Sequence, residues 1–473
     1  MPVSSDYRAL PRITDLGEGF YDEVAPARFP KHELRFRNQT WAEKVGLGEL
    51  SAEEWAAHFS RFEALPDNLQ KPLALRYHGH QFDVYNPQLG DGRGFLFAQL
   101  AEKSEAGNRL LDLATKGSGR TPWSRGGDGK LTLKGGVREV LATEMLEALG
   151  VNTSKSFSLF ETGEKLMRGD EPSPTRSSVL VRLGHSHLRF GTFQRLAYAR
   201  DTERLERLLS YAIQNYFPEL LESKDRVTDF LRAVTKRTAK LTASYMVAGF
   251  VHGVLNSDNM TITGESFDYG PYRFLPKYDL DFVAAYFDES GLYAFGNQPR
   301  AMFRNLVRLA ESLRPIAPDL AVGQVLGDFE AALDAEIITR LLDRLGLASN
   351  GVMDSELLGT VYGFLNDSEI GYDRFFFDVY GGLAREEKFL AGESAAHYVG
   401  EGWKVLRSLL ELYTPVPPAK NGSTYYDGAA PCTLLIDEIE SIWSAIDHAD
   451  DWSPFNEKIS QIRAMRAATL KSA

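Results

Sequence analysis

The amide of Asn259 and the carboxylate of Asp268 are hard oxygen donors at the two ends of a short stretch, M-T-I-T-G-E-S-F, that reads as a hairpin turning at Gly264. Mg²⁺ takes such oxygens together with those of a phosphate, so folding the stretch back on itself would bring two ligands into one coordination sphere. Asp258 stands immediately before Asn259. Read blandly, Asn259 and Asp268 are turn formers and nothing more. Upstream, Leu110-Leu-Asp-Leu-Ala-Thr-Lys116 is an apolar strand ending in a lysine able to hold phosphate oxygens, and Glu139 lies near the start of the helix that follows, where it could hold that lysine.

Glycine clusters flank the lysine: Gly90-Asp-Gly92-Arg93-Gly94 before it, and Gly117-Ser-Gly119-Arg120 and Gly126-Gly127-Asp128-Gly129 after it. Glycines let backbone N–H groups approach phosphate oxygens, and an arginine in such a loop adds charged donors. Neither the G-x-G-x-x-G loop nor the G-x-x-x-x-G-K-[ST] loop is matched, so simple turns remain open as a reading. Arg182 and Arg189, seven residues apart around an apolar strand, could clamp a terminal phosphate or pair with surface acids. His185 and His187 alternate as on a strand, but no cysteine or third histidine nearby completes a zinc site.

The order of these parts is that of a protein kinase. His252-Gly-Val-Leu-Asn-Ser-Asp-Asn259 followed by Asp268-Tyr-Gly270 fits H-R-D-L-x-x-x-N and D-F-G at the His, the Leu, the Asn and the second Asp. It departs at Val254, where a kinase carries the Asp that accepts the substrate's proton.

The elements needed to position these residues are legible. Ser51-Ala-Glu-Glu54 has the capping-box form, predicting a helix over residues 51–63 closed by Pro66. Residues 78–133 alternate short apolar runs (95–100, 110–115, 131–133) with glycines, the texture of strands and turns. Residues 137–149 carry apolar positions at helical spacing and end at Gly150, 179–183 reads as a strand, and helices are expected near 201–216, 225–250, 299–313, 328–345 and 434–446. The Pro-rich run 415–418 marks a loop. A sheet-rich part followed by a helical part, with the 252–270 hairpin in the second, is an α+β, two-lobed arrangement. The division expected is 1–70 as an N-terminal extension packed on the core, 71–195 as the nucleotide-binding lobe and 196–473 as the helical lobe.

Composition bounds the partners. The 473 residues are 43% apolar, enough for a large core, and the net charge of −12 repels nucleic acid, so any nucleotide binding must be local. One cysteine, Cys432, excludes an internal disulfide framework. The N-terminal residues lack a secretory pattern, and the longest apolar stretch, 245–255, is far short of the roughly 20 residues of a membrane span. A cytoplasmic protein without membrane or nucleic-acid partners is expected.

Several runs are long and unusual: His80-Gln-Phe82, Pro87-Gln-Leu-Gly-Asp-Gly-Arg93, Lys116-Gly-Ser-Gly-Arg-Thr-Pro122, Ser124-Arg-Gly-Gly-Asp-Gly129, Arg189-Phe-Gly-Thr-Phe193, His252 through Met260, Asp268-Tyr-Gly-Pro271 and Tyr293-Ala-Phe-Gly-Asn-Gln-Pro299. In these the chain resembles the selenoprotein O (SelO, YdiU) family, densely over residues 20–315 and loosely beyond. The resemblance implies a protein-kinase-like, two-lobed pseudokinase fold that binds ATP in a flipped orientation and transfers AMP to Ser, Thr or Tyr hydroxyls of proteins with Mg²⁺ or Mn²⁺. It further implies that Gly90, Gly92, Arg93, Lys116, Asp128 and Gly129 meet the nucleotide, with Glu139 holding Lys116. By the same resemblance Arg182 and Arg189 clamp the terminal phosphate, Asn259 and Asp268 hold the metal, and Asp258 accepts the hydroxyl proton in place of the base missing at Val254. Lys130 replaces an arginine common in the family, and Phe282-Val-Ala-Ala285 and the closing A-A-T-L-K-S-A lack the cysteines of other members, so redox gating by a disulfide is not expected. Competing expectations are UMP transfer from UTP with Mn²⁺, ordinary phosphoryl transfer by a kinase, and a nucleotide-binding scaffold without activity.

Overall fold

The computed structural model describes residues 3–104, 107–169, 171–417 and 424–469, and it mixes a large antiparallel sheet with a larger share of helix. Across the sheet the strands run Tyr21–Glu23, Leu73–Leu75, Leu96–Ser104, Gly107–Lys116, Thr175–Gly184, Lys155–Leu166 and Glu33–Arg37, with Leu131–Thr132 added beside Thr175–Gly184. Every pairing is antiparallel.

The register between the two central strands sets up the chemistry. Leu180 lies opposite Lys116 and Arg182 opposite Ala114. Opposed residues and residues two apart share a face, so Lys116 and Arg182 are diagonal neighbours on the same side of the sheet. The other side, through Leu111, Leu113, Val179, Val181 and Leu183, packs on a cluster from the N-terminal residues that includes Trp41, Trp55, Phe59 and Phe62. One face of the sheet is thus sealed, while the other packs Leu159 and Leu180 with Val137 and Leu141 of the Leu133–Ala148 helix and carries Lys116 and Arg182 beside them.

Ser51 caps its helix with the full capping box, its hydroxyl accepting from the Glu54 N–H and Glu54 reaching back to Ser51. That helix, Ala52–Phe59, stops short of residue 63, because Phe62 takes a left-handed conformation at φ 59°. The Leu133–Ala148 helix starts one turn before the expected 137: the strand over 131–133 is only Leu131–Thr132, and the Thr132 hydroxyl caps the helix on the Gly135 N–H. Thr202–Tyr216, Arg226–Ala248, Gln298–Leu313, Asp328–Leu345 and Ile436–Ala449 fall where periodicity put helices. Gly249, at φ 64°, ends the long one. Phe190–Tyr198, Asp354–Ser368, Tyr372–Asp378, Gly400–Leu410 and Ser453–Thr469 are further helices that the sequence reading did not resolve. Of the Pro-rich loop, Pro418 lies outside the described residues.

The expected hairpin after Met260 is a correction. The chain does turn at Gly264 (φ 67°), whose N–H donates to the Thr261 carbonyl at 3.3 Å, but its two arms do not pair with each other. Thr261 bridges to Arg189 and Ser266 bridges to Thr153, so each arm is stitched to a different neighbour. The Thr261 hydroxyl spans the turn instead of a ladder, accepting from the Glu265 N–H at 3.0 Å and donating to the Glu265 carbonyl at 2.9 Å.

The C-terminal helices return to the sheet. Arg463 bonds the buried Glu144 with both ends of its guanidinium (2.8 and 3.1 Å), and Arg466 pairs with the buried Glu147 at 2.8 Å. Both acids sit on the Leu133–Ala148 helix. Among the described residues no helix is long and apolar enough to cross a membrane.

Candidate active site

Lys116 ends its strand fully inside the protein, in ion pairs with Glu139 of the Leu133–Ala148 helix and with Asp268. A buried ammonium between two carboxylates is fixed rather than mobile, because leaving either contact would strand a charge away from water. Arg182, its neighbour on the sheet, reaches the same Oδ1 of Asp268 at 3.5 Å. Burial would raise the Asp268 pKa, but Lys116, then Arg182 and Arg93, outweigh it and hold the carboxyl well below the usual range. Asp268 is therefore an anion at any working pH.

His252 anchors the Asp268 end of the metal-type segment. Its Nε2 meets the Phe267 carbonyl at 3.1 Å, one residue before Asp268, and its backbone N–H donates to Gln298 at 3.1 Å. Residues Ser257–Asn259 form a single 3₁₀ turn. Within it the Asn259 amide nitrogen donates to the Val254 carbonyl at 3.0 Å. A carbonyl can only accept, so this bond fixes the amide with Nδ2 inward and leaves Oδ1 as the oxygen available to a cation. With an ionised carboxylate from Asp268 and an amide oxygen from Asn259, the donor set fits a hard divalent ion of the Mg²⁺ or Mn²⁺ kind.

Asp258 is buried, and its Oδ1 has no hydrogen-bond partner among the described residues. Burial pushes its pKa up to about 6, against the opposing pull of Arg189. The strand Gly79–Gln81 lies against it: a Cβ on Gly79 would stand 3.1 Å from Oδ1.

Arg189 precedes the Phe190–Tyr198 helix with its guanidinium between two rings, 4.2 Å from the Tyr77 centroid and 4.7 Å from that of Phe267. Nη1 donates to the Asp258 carbonyl at 2.8 Å and Nη2 to Asp91 Oδ1 at 3.2 Å. The Nε atoms of both Arg189 and Arg182 are buried without a partner among the described residues. Both arginines border one space, and a buried guanidinium with an unsatisfied donor carries a desolvation cost that an anion bound beside it would offset.

These groups line a single cavity of about 660 Å³. Gly90, Gly92, Arg93, Lys116, Asp128, Gly129, Arg182, Arg189, Asp258, Asn259 and Asp268 all border it, while Glu139 lies outside it, paired with Lys116. Eight basic side chains border it against four acidic ones, inside a chain of net charge −12. The guanidinium groups of Arg93, Arg120 and Arg125 make no hydrogen bond or ion pair among the described residues. The volume is in the range of small-molecule and cofactor pockets, roughly 300–1,000 Å³, and the charge surplus is that of a polyphosphate site.

Close approach explains the first glycine cluster. A Cβ on Gly90 would fall 2.4 Å from Cγ of Trp123, and one on Gly92 would fall 2.7 Å from the Trp123 carbonyl oxygen. The indole presses on this loop while donating from Nε1 to Asp22 at 2.9 Å. Asp128 is gripped by Arg168 in a two-pronged pair at 2.9 and 3.1 Å. Arg168, Asp91, Trp123, Tyr77 and Arg125 went unassigned in the sequence reading. Asp91 had a signal, lying between two glycines of a loop already singled out, and Arg168 had none. His185 and His187 turn from the cavity: their backbone N–H groups donate to Glu265 and Asp112 at 2.7 and 2.8 Å, and Asp112 also faces the His187 ring.

Comparison with known proteins agrees with this geometry. A family model described as "Protein adenylyltransferase SelO" matches residues 4–463. A "Protein nucleotidyltransferase YdiU" of Synechocystis is 45% identical, covering 96% of this chain and 97% of its own length. That of Gloeobacter violaceus is 44% identical over 96% and 94%, and that of Vibrio cholerae 36% identical over 77% and 73%. An α+β enzyme of the nucleotidyltransferase class is what fold, cavity and relatives define together. The chain belongs to the SelO family.

Proposed function

We propose that the protein transfers AMP from ATP to Ser, Thr or Tyr hydroxyls of acceptor proteins and releases pyrophosphate. The frame we infer is two-lobed and kinase-like, with 71–195 and 196–473 as the lobes and 1–70 as an extension against the first. The observation that carries the reading is the exchange at the catalytic turn: Val254 borders the cavity where a kinase has its base, and a buried carboxylate with an unpartnered oxygen, Asp258, borders the same cavity four residues on.

Asp258 then accepts the proton of the acceptor hydroxyl as its oxygen attacks the α-phosphorus. The bond from the α-phosphorus to its bridging oxygen breaks, and the electron pair leaves with pyrophosphate. Arg182 and Arg189, both bordering the cavity, bind the terminal phosphates of a nucleotide seated in reverse and stabilise the charge that grows on the leaving group. Lys116, locked by Glu139, adds a fixed positive charge to that end. A Mg²⁺ or Mn²⁺ ion held by Asn259 and Asp268 would supply charge neutralisation at the phosphates. Gly90, Gly92, Arg93, Asp128 and Gly129 form the wall for the rest of the nucleotide.

The relatives are named as nucleotidyltransferases without a base, so the donor is tested directly. Incubation with ATP and either metal should add one AMP unit to the protein or to an acceptor by intact-mass measurement, and excess UTP should compete poorly. Addition of UMP in preference would reassign the donor, and no addition with either nucleotide and either metal would leave a scaffold.

A further inference from the structure

The loop between the two glycines does more than make room for a ligand. Gly90 and Gly92 let Trp123 press the loop inward, and Asp91 is thereby driven down between the sheet and the catalytic turn. Its backbone N–H donates to the Leu75 carbonyl at 3.0 Å, and its Oδ2 accepts from the Leu75 N–H at 3.0 Å. The Thr121 hydroxyl, from the loop after Lys116, donates to its carbonyl at 2.5 Å. Every freedom of Asp91 is spent on staying where it is, and the one oxygen left over, Oδ1, takes Nη2 of Arg189.

Arg189 has three nitrogens in a rigid plane. Nη2 is held by Asp91, Nη1 holds the Asp258 carbonyl, and Nε is buried and unpartnered. The Tyr77 and Phe267 rings restrict tilt out of that plane. Rotation within the plane is stopped by Asp91. A guanidinium held at both terminal nitrogens has one orientation, and Arg189 so held borders the same cavity as Arg182.

We propose that Asp91 is a positioning residue for the reaction: it orients Arg189 so that one guanidinium joins the terminal phosphate of the nucleotide to the turn that carries Asp258. The inference rests on the reversed seating of ATP proposed above. Its consequence is that recognition of a third phosphate depends on a carboxylate whose free oxygen is spent on an arginine. A residue needed only for folding would weaken all nucleotides alike, whereas Asp91 affects the ligand that reaches Arg189.

The test is equilibrium binding of ATP and ADP, each with Mg²⁺, to the full-length protein and its Asp91→Asn and Asp91→Glu variants. The unaltered protein should bind ATP more tightly than ADP. Asp91→Asn should lose about tenfold in ATP affinity, the worth of one charge-assisted hydrogen bond, with ADP affinity nearly unchanged. Asp91→Glu keeps the charge but displaces it by a methylene, so it should lose the same discrimination and serves if the Asn variant fails to fold. An ATP-to-ADP ratio preserved in either folded variant overturns the role of Asp91. Equal binding of ATP and ADP by the unaltered protein refutes the reversed seating itself, and the inference falls with it.

Discussion

At the scale of single residues, the site is a set of charges made useful by what they lack. Among the described residues Asp258 has an oxygen with no partner, Arg182 and Arg189 each have a donor with no partner, and Arg93 borders the cavity without an ion pair. Asp258→Asn, nearly the same shape without the basicity, should lower the transfer rate by about 10²–10⁴ while nucleotide affinity changes little. Comparison of kcat with nucleotide dissociation constants checks this, and a full rate in the Asn variant would remove Asp258 from the chemistry. The residues of this set were largely legible because each has a local signature: a lysine closing an apolar run, an acid and an amide side by side, glycines in clusters. Arg168 was not, because it lies in an unremarked turn 40 positions from the Asp128 it grips, and nothing local announces a contact of that span.

Elements show why some local rules held and others failed. Ser51 and Glu54 satisfied each other as their spacing required, whereas the hairpin after Met260 dissolved into contacts with Arg189 and Thr153 that only the folded chain supplies. The glycine loop is tested by Gly90→Ala. The added methyl would displace the Trp123 ring and its bond to Asp22, so the KM for nucleotide should rise about tenfold or more, with a smaller effect on melting temperature. The turn at Gly264 carries a second test. Glu265, fully enclosed beside Gly184 and accepting the His185 N–H, has its pKa pushed up to about 7 by burial, against the pull of Lys155 and Arg109. A carboxyl raised in the folded state favours folding below its ordinary value near 4.5, and that contribution is lost as pH rises toward 7. Unfolding measured from pH 5 to 8 should therefore show a decline that Glu265→Gln reduces, by at most about 3 kcal/mol at the alkaline end. An unchanged pH slope in the Gln variant would contradict this.

Across the whole molecule, a strongly acidic chain concentrates positive charge in one cavity and braces it from a distance. Composition exposed the acidity, and only the fold exposed the exception to it. The C-terminal helix was the least legible part, since its partners, Glu144 and Glu147, lie more than 300 positions away on the helix that also carries Glu139. Arg463→Ala should leave a buried carboxylate unpaired and cost about 1–3 kcal/mol of stability, read as a lower denaturation midpoint. The central claim, a reversed nucleotide attacked at its innermost phosphorus, is tested most directly by supplying ATP labelled separately on the α and γ phosphates and following both labels onto protein. Label from the α position on the acceptor, with the γ label released as pyrophosphate, is the predicted result. Label from the γ position on the acceptor would contradict it and make the protein a kinase.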